Sequence, residues 1–265
     1  MAHLVDNAPL RSVVEAFAAA PGQETYFDVL RASLQGELLL DATGSTITFT
    51  EDGSSIAAGS TIRFREGVDP NDGRALFAFT SQERAGDMHA DDRDGVQTIG
   101  QSALGVLEFA VAQGFASLYI DPAGPTCSLD VTHVQFVLRN THNDAVKDAL
   151  AADDRAEVLE ALATGGSLLF AVSEHADGRV EVATSMNPDG TPVYLAFTSA
   201  AEVLARDTDA AVAAVDLHRI VSDAITEPFG GLVINPSGPW IALTVDELRA
   251  LLERLPEPPA EASTP

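Results

Sequence analysis

The chain has 265 residues, 46% of them hydrophobic, and carries 40 acidic against 15 basic side chains, for a net charge of −25. So large an excess of carboxylates repels phosphate groups, which argues against binding to nucleic acid and to anionic membranes. No apolar run of about 18 residues could span a bilayer and no basic, apolar leader is present, so we expect a cytoplasmic protein. The single cysteine, Cys127, cannot form an internal disulfide.

The dominant feature of the sequence is an internal repeat. Residues 73–81 (GRALFAFTS) are matched by residues 190–199 (GTPVYLAFTS), 117 to 118 positions later. Flanking segments repeat in the same order: 36–40 with 166–170, and 118–125 with 232–239. The repeat predicts two related units, each of ordinary domain size and able to bury its own core.

Helical and strand patterns alternate from the N-terminus. Residues 1–23 form an N-terminal helical lead, in which apolar residues recur at helical spacing at Leu10, Val13, Val14 and Phe17. A helix over about 24–35 and a strand over 37–41 follow. The other expected elements are helices at 100–112, 129–138, 145–163, 216–224 and 247–255, and strands at 115–120, 167–173 and 230–234.

Turn and capping signals also repeat. Residues 69–73 (DPNDG) and 186–190 (MNPDG) predict equivalent hairpin turns. The first unit has extra material before its turn, in which 46–50 and 61–65 alternate strictly and predict an additional hairpin with a turn at 51–53. Two capping boxes are expected, Ser199 with Glu202 and Thr244 with Glu247, whereas residues 81–84 form a poorer one.

Helices mixed with hairpins indicate an α+β fold of two tandem related domains, each a mixed or antiparallel sheet with helices packed on it. The predicted boundaries follow the repeat and the turn signals. They are the lead at 1–23, a divergent first domain at 24–139, a linker at 140–144, the second domain at 145–255 and a disordered tail at 256–265.

A strand ending in Phe-Thr-Ser, a capped helix, and then an apolar strand ending in Ile-Asn-Pro-Ser-Gly-Pro resemble the N-terminal domain of the SseB family. The second unit is the better match, over 190–199 and 230–239. The first departs from the pattern at 82–84 and has Asp121 where the second has Asn235. The resemblance implies a bacterial accessory or interaction protein with no established enzymatic activity, cofactor or agreed active site.

The segment 235–239 (NPSGP) is the first candidate binding site, because two prolines hold the backbone stiff and present Asn235 and Ser237. The alternative is a plain turn in which Asn235 caps its own backbone. The first unit favours this alternative, because Ala123 replaces Ser237 there.

Thr198 and Ser199 are further candidates, since hydroxyls at a helix start can bind an anion or act as nucleophiles. Helix capping is the favoured interpretation, because no Gly-x-Ser-x-Gly motif and no histidine accompany them. Trp240 is either buried in the core, which is favoured, or an exposed anchor for a partner. Cys127 is expected to be a small buried apolar residue.

No metal or cofactor is predicted. The six histidines lack the spacing of metal sites. His89 lies among acidic residues that could hold a cation, at 87, 91, 92 and 94, but such a run is more often a solvated loop.

Duplication without a duplicated catalytic set leads to the hypothesis of a non-catalytic regulatory module that binds a protein partner. The acidity either keeps the chain soluble or selects a basic partner. A rival hypothesis is a small-ligand-binding protein or enzyme, with a site near Asn235 and Ser237 between the two domains. A third is a homo-oligomer formed through unpaired strand edges.

Overall fold

The chain divides into two compact units, residues 1–138 (unit 1) and 139–265 (unit 2). The structure is a computed structural model that describes residues 5–46, 48, 57–174, 180–226 and 228–256. In the described part, unit 1 consists of α1 (Ala8–Ala19), α2 (Gln23–Ala32), β1 (Glu37–Asp41), β2 (Glu66–Val68), β3 (Arg74–Phe79), α3 (Gln82–Asp87), a 3-10 turn (Arg93–Gly95), β4 (Thr98–Ser102), α4 (Ala103–Ala112), β5 (Ser117–Ile120), β6 (Cys127–Asp130) and α5 (Val131–Arg139).

The strands of unit 1 form one sheet in the order β4-β1-β3-β5-β6, and β2 also pairs with β3. All pairs are antiparallel except β3 and β5, which run parallel because α3, β4 and α4 cross over between them. The two parallel strands therefore end at the same edge of the sheet.

Unit 2 repeats this arrangement. Its elements are α6 (Asp144–Ala151), α7 (Arg155–Ala163), β7 (Ser167–Glu174), β8 (Val180–Val182), β9 (Thr184–Met186), β10 (Pro192–Ala196), α8 (Ala200–Arg206), β11 (Ala211–Asp216), α9 (Leu217–Ala224), β12 (Gly231–Ile234), β13 (Ile241–Thr244) and α10 (Val245–Leu252). They form two sheets, β13-β12-β10-β9 and β11-β7-β8, with β10 and β12 parallel.

One isolated bridge joins the two sheets of unit 2. Leu169 and Phe197 exchange both backbone hydrogen bonds at 2.8 Å, where Leu39 pairs with Phe79 in unit 1. Both units are thus the same mixed sheet with helices, and the prediction of two tandem related α+β domains is confirmed.

The single helix predicted over 145–163 is wrong, because the chain breaks between α6 and α7. Asp153 has a φ of 54°, outside the helical region, and Asp154 caps α7 by accepting from Ala156 N at 2.9 Å. The pair α6 and α7 corresponds to α1 and α2. Residues 8–19, predicted as part of a separate lead, therefore form the first helix of the repeat.

Strands β4 and β11 were missed by the sequence prediction, which placed their ends in the helices at 100–112 and 216–224. Each pairs antiparallel with the first strand of its unit, β1 or β7. Neither strand has a fully buried residue, and neither of their sequences, TIGQS and AVAAVD, alternates apolar with polar residues. Backbone pairing to a buried neighbour forms these strands without a strong sequence pattern.

The two predicted hairpin turns are confirmed. Asp69 N donates to Gly73 O at 2.8 Å, and Asn187 N donates to Thr191 O at 2.9 Å. The prediction of an additional hairpin is confirmed in part, by an antiparallel bridge between Thr46 and Thr61. Its proposed turn at 51–53 lies outside the described residues, as do residues 257–265 of the predicted tail.

The parallel strands carry the core of each unit. The large side chains at most 1% exposed on these strands, or directly after β10, are Leu76, Phe79, Leu118 and Ile120 in unit 1, and Leu195, Phe197, Leu232 and Ile234 in unit 2. Burial of one such side chain contributes about 1.5–3 kcal/mol, so the ends of these strands are firmly placed. The longest helix of the described chain, α1, has 12 residues, too few to cross the hydrocarbon of a bilayer.

Candidate functional site

Two predicted site residues, Thr198 and Asn235, meet where the parallel strands β10 and β12 end. Both are 1% exposed. Asn235 has a φ of 54°, in the left-handed region that asparagine tolerates better than most residues. Its backbone N donates to Ala196 O at 2.9 Å, which extends the parallel pairing by one residue.

The side chain of Asn235 makes two hydrogen bonds to Thr198. Its Oδ1 accepts from Thr198 N at 2.9 Å, and its Nδ2 donates to Thr198 Oγ1 at 2.8 Å. The expectation that Asn235 caps its own backbone is therefore wrong. The side chain instead ties together two strand ends that lie far apart in the sequence.

Unit 1 has the same arrangement with a different residue. Asp121, with a φ of 53°, accepts from Thr80 N at 2.9 Å and from Thr80 Oγ1 at 2.7 Å. A carboxylate only accepts, so the Thr80 hydroxyl must donate to it. In unit 2 the amide of Asn235 donates, so the Thr198 hydroxyl accepts and its proton points elsewhere.

Burial of the Asp121 carboxyl raises its pKa, and the hydrogen bonds from Thr80 with the nearby charges of Arg84 and Arg11 offset only part of this effect. Ionisation of Asp121 at neutral pH therefore lowers the free energy of unfolding. Arg84 lies close by, since its Nη1 is 3.0 Å from the position that a Cβ on Gly124 would take.

The residue equivalent to Arg84 in unit 2 is Glu202. Its Oε2 lies 3.0 Å from the position that a Cβ on Gly238 would take, so it occupies the same place over the turn. A carboxylate at 121 thus has an arginine nearby, whereas the neutral Asn235 has a glutamate. Like charges are kept apart in both copies, which gives the difference between Asp121 and Asn235 an electrostatic reason.

Asparagines at the start of the first helix of each unit also belong to this arrangement, and the sequence prediction missed them. Asn7 N donates to Thr80 O and Asn143 N donates to Thr198 O, both at 2.8 Å. Each side chain caps its helix, by accepting from Leu10 N or Val146 N. The signal was present as a second repeat, an asparagine followed by a helix in both halves.

Comparison with known families agrees with the duplicated geometry. The family model of the SseB protein N-terminal domain matches residues 10–135 and again residues 144–250. The chain belongs to the SseB family. No curated protein and no solved structure matches it. The two matched ranges fall one in each unit, so the prediction of two tandem SseB domains is confirmed.

Ser199 of the second SseB domain does not form the predicted capping box. Its hydroxyl makes no hydrogen bond to the backbone of α8, and its Oγ is buried with no partner in the described chain. In the first SseB domain Ser81, predicted to be the poorer cap, accepts from Arg84 N at 3.3 Å. The predicted box at Thr244 and Glu247 is confirmed.

We expect Ser199→Ala to raise the free energy of unfolding by about 1 kcal/mol, because it removes a buried hydroxyl that lacks a partner. Ser81→Ala is the matched control, and loss of its cap should lower stability by about 1 kcal/mol. Urea denaturation of each variant measures both changes. A loss of stability in Ser199→Ala would show that the hydroxyl has a partner in solution.

The other two predicted site residues lie on the outside of the second SseB domain. Ser237 is half-buried in the turn after β12. Trp240 is 63% exposed, so the favoured expectation of a core tryptophan is wrong. Core packing at this end of β13 comes from the next residue, Ile241, which pairs with Ile234 as Cys127 pairs with Ile120 in the first domain.

Trp240 borders a cavity of about 240 Å³ between α6, α7 and β13. Its other lining residues are either apolar, namely Ala149, Leu150, Val158, Ile241 and Ala242, or charged, namely Asp153, Asp154 and Arg155. Arg155 is already engaged, since it donates to Glu247 Oε1 at 2.6 Å. The two aspartates are exposed, so the rim is acidic.

The histidine and cysteine candidates have structural surroundings. His89 Nε2 lies 2.7 Å from Oδ2 of the buried Asp41, which is remote from it in sequence. Within the described chain, no three histidine, cysteine or acidic residues are grouped as metal ligands would be. Cys127 is buried as expected, and burial raises the pKa of its thiol to about 12.

Proposed function

We propose that this SseB chain is a non-catalytic interaction module that binds a basic protein segment through its second domain. The contact is the Trp240 surface, which comprises Trp240, the adjoining cavity and the acidic rim at Asp153 and Asp154. The exposure of Trp240 carries the proposal. Tryptophan is strongly enriched among the residues that dominate protein interfaces, and Trp240 directly follows Pro239, whose ring restrains the backbone.

The chemistry of the Trp240 surface indicates the partner. The apolar residues that line the cavity beside the exposed indole suit an apolar side chain, and the exposed carboxylates of Asp153 and Asp154 suit a lysine or arginine next to it. The net charge of −25 attracts a basic partner over longer distances. The same charge underlies our proposal that the chain binds neither nucleic acid nor anionic membranes. We also propose that it acts in the cytoplasm, a reducing compartment with which its single buried cysteine, Cys127, agrees.

The burial and hydrogen bonding of the candidate residues Thr198 and Asn235 support a non-catalytic role. Thr198 and Asn235 use their side chains to bind each other, and both are 1% exposed. Neither side chain is placed to meet a substrate. Equivalent pairs of hydrogen bonds occur in unit 1 between Thr80 and Asp121, with the direction of the hydroxyl bond reversed, as a shared structural element would require.

The test is site-specific crosslinking in the native host. Benzoylphenylalanine replaces Trp240, and the control replaces Met186, which is also in unit 2 and is 65% exposed. We expect a discrete adduct from position 240, joined to a segment with an apolar residue beside lysine or arginine. Adducts of equal yield and composition at both positions would contradict the proposal.

A synthetic peptide of the crosslinked segment then tests affinity, with Trp240 fluorescence as the signal because it is the chain's single tryptophan. Asp153→Asn should weaken binding about threefold, since it removes one rim charge while asparagine tolerates the φ of 54° at that position. Rising salt should weaken it further. If neither Asp153→Asn nor added salt changes the affinity, the acidic rim is not part of the interface.

The buried hydroxyl of Ser199, which has no hydrogen-bond partner in the described part of the chain, favours one alternative, a small ligand bound near Asn235 and Ser237. A ligand that accepts from Ser199 would stabilise the wild type but not Ser199→Ala. Thermal shift measurements of both proteins against a metabolite collection separate this alternative from the interaction module.

A further inference from the structure

A second, larger cavity lies in unit 1, next to Arg74 at the start of β3 and so away from the carboxyl ends of the parallel strands. Its volume is about 550 Å³, within the range of about 300–1,000 Å³ that small-molecule sites occupy. The residues that line it are Ile62, Arg63, Phe64, Glu66, Arg74, Phe109, Gln113 and Phe115. Four of these are apolar, three of them aromatic, and the other four are polar or charged, so the cavity offers both an apolar surface and polar groups that can orient a ligand.

The apolar part of the cavity is a row of three phenylalanine rings. The rings of Phe64 and Phe109 meet edge to face with their centroids 5.4 Å apart, and Phe115 follows with its centroid 6.3 Å from that of Phe109. Ile62, which is 40% exposed, also lines the cavity. A flat or branched apolar body could lie against these side chains.

The guanidinium groups of the two arginines in the cavity differ in their hydrogen bonding. Arg74 is held in place, donating to Glu66 Oε2 at 2.6 Å and to Gln113 O at 3.2 Å, with its guanidinium 4.4 Å above the ring of Phe115. The guanidinium of Arg63 makes no hydrogen bond or ion pair with the described part of the chain. Its backbone is nevertheless fixed, because Ser45 Oγ bonds both Arg63 N and Arg63 O.

The charge of this cavity has the opposite sign to that of the chain. Two arginines face one glutamate here, whereas the whole protein has a net charge of −25. A cation would be attracted to most of the surface, but an anion has a favourable position here. Two arginines beside a carboxylate are too few to hold a polyanion such as nucleic acid.

We propose that this cavity binds a small amphipathic carboxylate. Its aromatic or branched apolar body lies against Phe64 and Phe109, and its carboxylate pairs with Arg63. The site belongs to the first SseB domain alone, because the positions equivalent to Phe109 and Arg74 are Asp223 and Pro192 in the second. It is independent of the protein contact proposed at Trp240.

The test is titration of the full chain with 2-naphthoate, an aromatic carboxylate, by calorimetry and by NMR of methyl-labelled isoleucines. We expect saturable binding at one site, with chemical-shift changes at Ile62 and none at Ile241, which lies in unit 2. The neutral analogue 2-naphthalenemethanol should bind at least about tenfold more weakly, because it cannot form the charge-assisted hydrogen bond.

Arg63→Gln should weaken naphthoate binding by about tenfold, the size expected for one charge-assisted hydrogen bond. The matched control is Arg219→Gln, since the Arg219 side chain is 79% exposed in unit 2, and its affinity should equal that of the wild type. The proposal is overturned if naphthoate shows no saturable binding, if Arg63→Gln binds as well as the wild type, or if the neutral analogue binds equally.

Discussion

Asn235→Ala is expected to destabilise unit 2 by about 3 kcal/mol, because it leaves the buried N–H of Thr198 without an acceptor and the Thr198 hydroxyl without its donor. Alanine also tolerates the φ of 54° less well than asparagine. Urea denaturation followed by circular dichroism and by Trp240 fluorescence measures the loss, since that tryptophan reports on unit 2. A loss below about 1 kcal/mol would mean that these hydrogen bonds do not hold the strand ends together.

The matched variants exchange the residue between the two copies. Asn235→Asp keeps the shape of the side chain but places a carboxyl where burial raises the pKa, as it does for Asp121. A raised pKa means that the folded state holds the proton more tightly, so stability should fall as the pH rises from about 4 towards neutral. Glu202 stands where unit 1 has Arg84, which should enlarge the fall.

The reverse exchange, Asp121→Asn, should stabilise unit 1 at neutral pH and remove this part of its pH dependence. Denaturation curves at pH 4 and pH 7 test both directions. Opposite signs in the two units are expected, and a loss of stability from Asp121→Asn at pH 7 would contradict the electrostatic account.

Gly231→Ala is expected to destabilise unit 2 by about 3 kcal/mol or more, through a clash with backbone that cannot move away. A Cβ at this position would lie 2.3 Å from Leu243 O on the neighbouring strand β13, and the φ of 143° is one that other residues rarely adopt. The strand must shift to relieve the contact, which disturbs the pairing of β12 with β13. The same denaturation measurement applies.

Gly190→Ala separates the two contributions. Gly190 also has a positive φ, 86°, but outside its chain neighbours no atom of the described residues lies within 4 Å of the position its Cβ would take. Its substitution should cost only about 1–2 kcal/mol, the strain of the backbone conformation alone. Equal losses in the two variants would mean that the contact with Leu243 is relieved without cost.

Much of the fold could be predicted because its signals are local. The hairpin turns at 69–73 and 186–190 and the capping box of Thr244 with Glu247 depend on residues within a few positions of one another. The repeat extended these local signals to a tandem of two α+β domains and led to the SseB family. The sequence did not predict strands β4 and β11, because they form by pairing with β1 and β7 and have no strand pattern of their own.

Sequence by itself therefore determined the duplication, the fold class and the family, all of which rest on spacing along the chain. Tertiary structure alone decided the roles of individual polar and aromatic residues. It joined Asn235 to Thr198, buried the Ser199 hydroxyl without a partner among the described residues, exposed Trp240, and brought Phe64 against Phe109. These outcomes depend on distances between residues remote in sequence, which periodicity and turn signals do not encode.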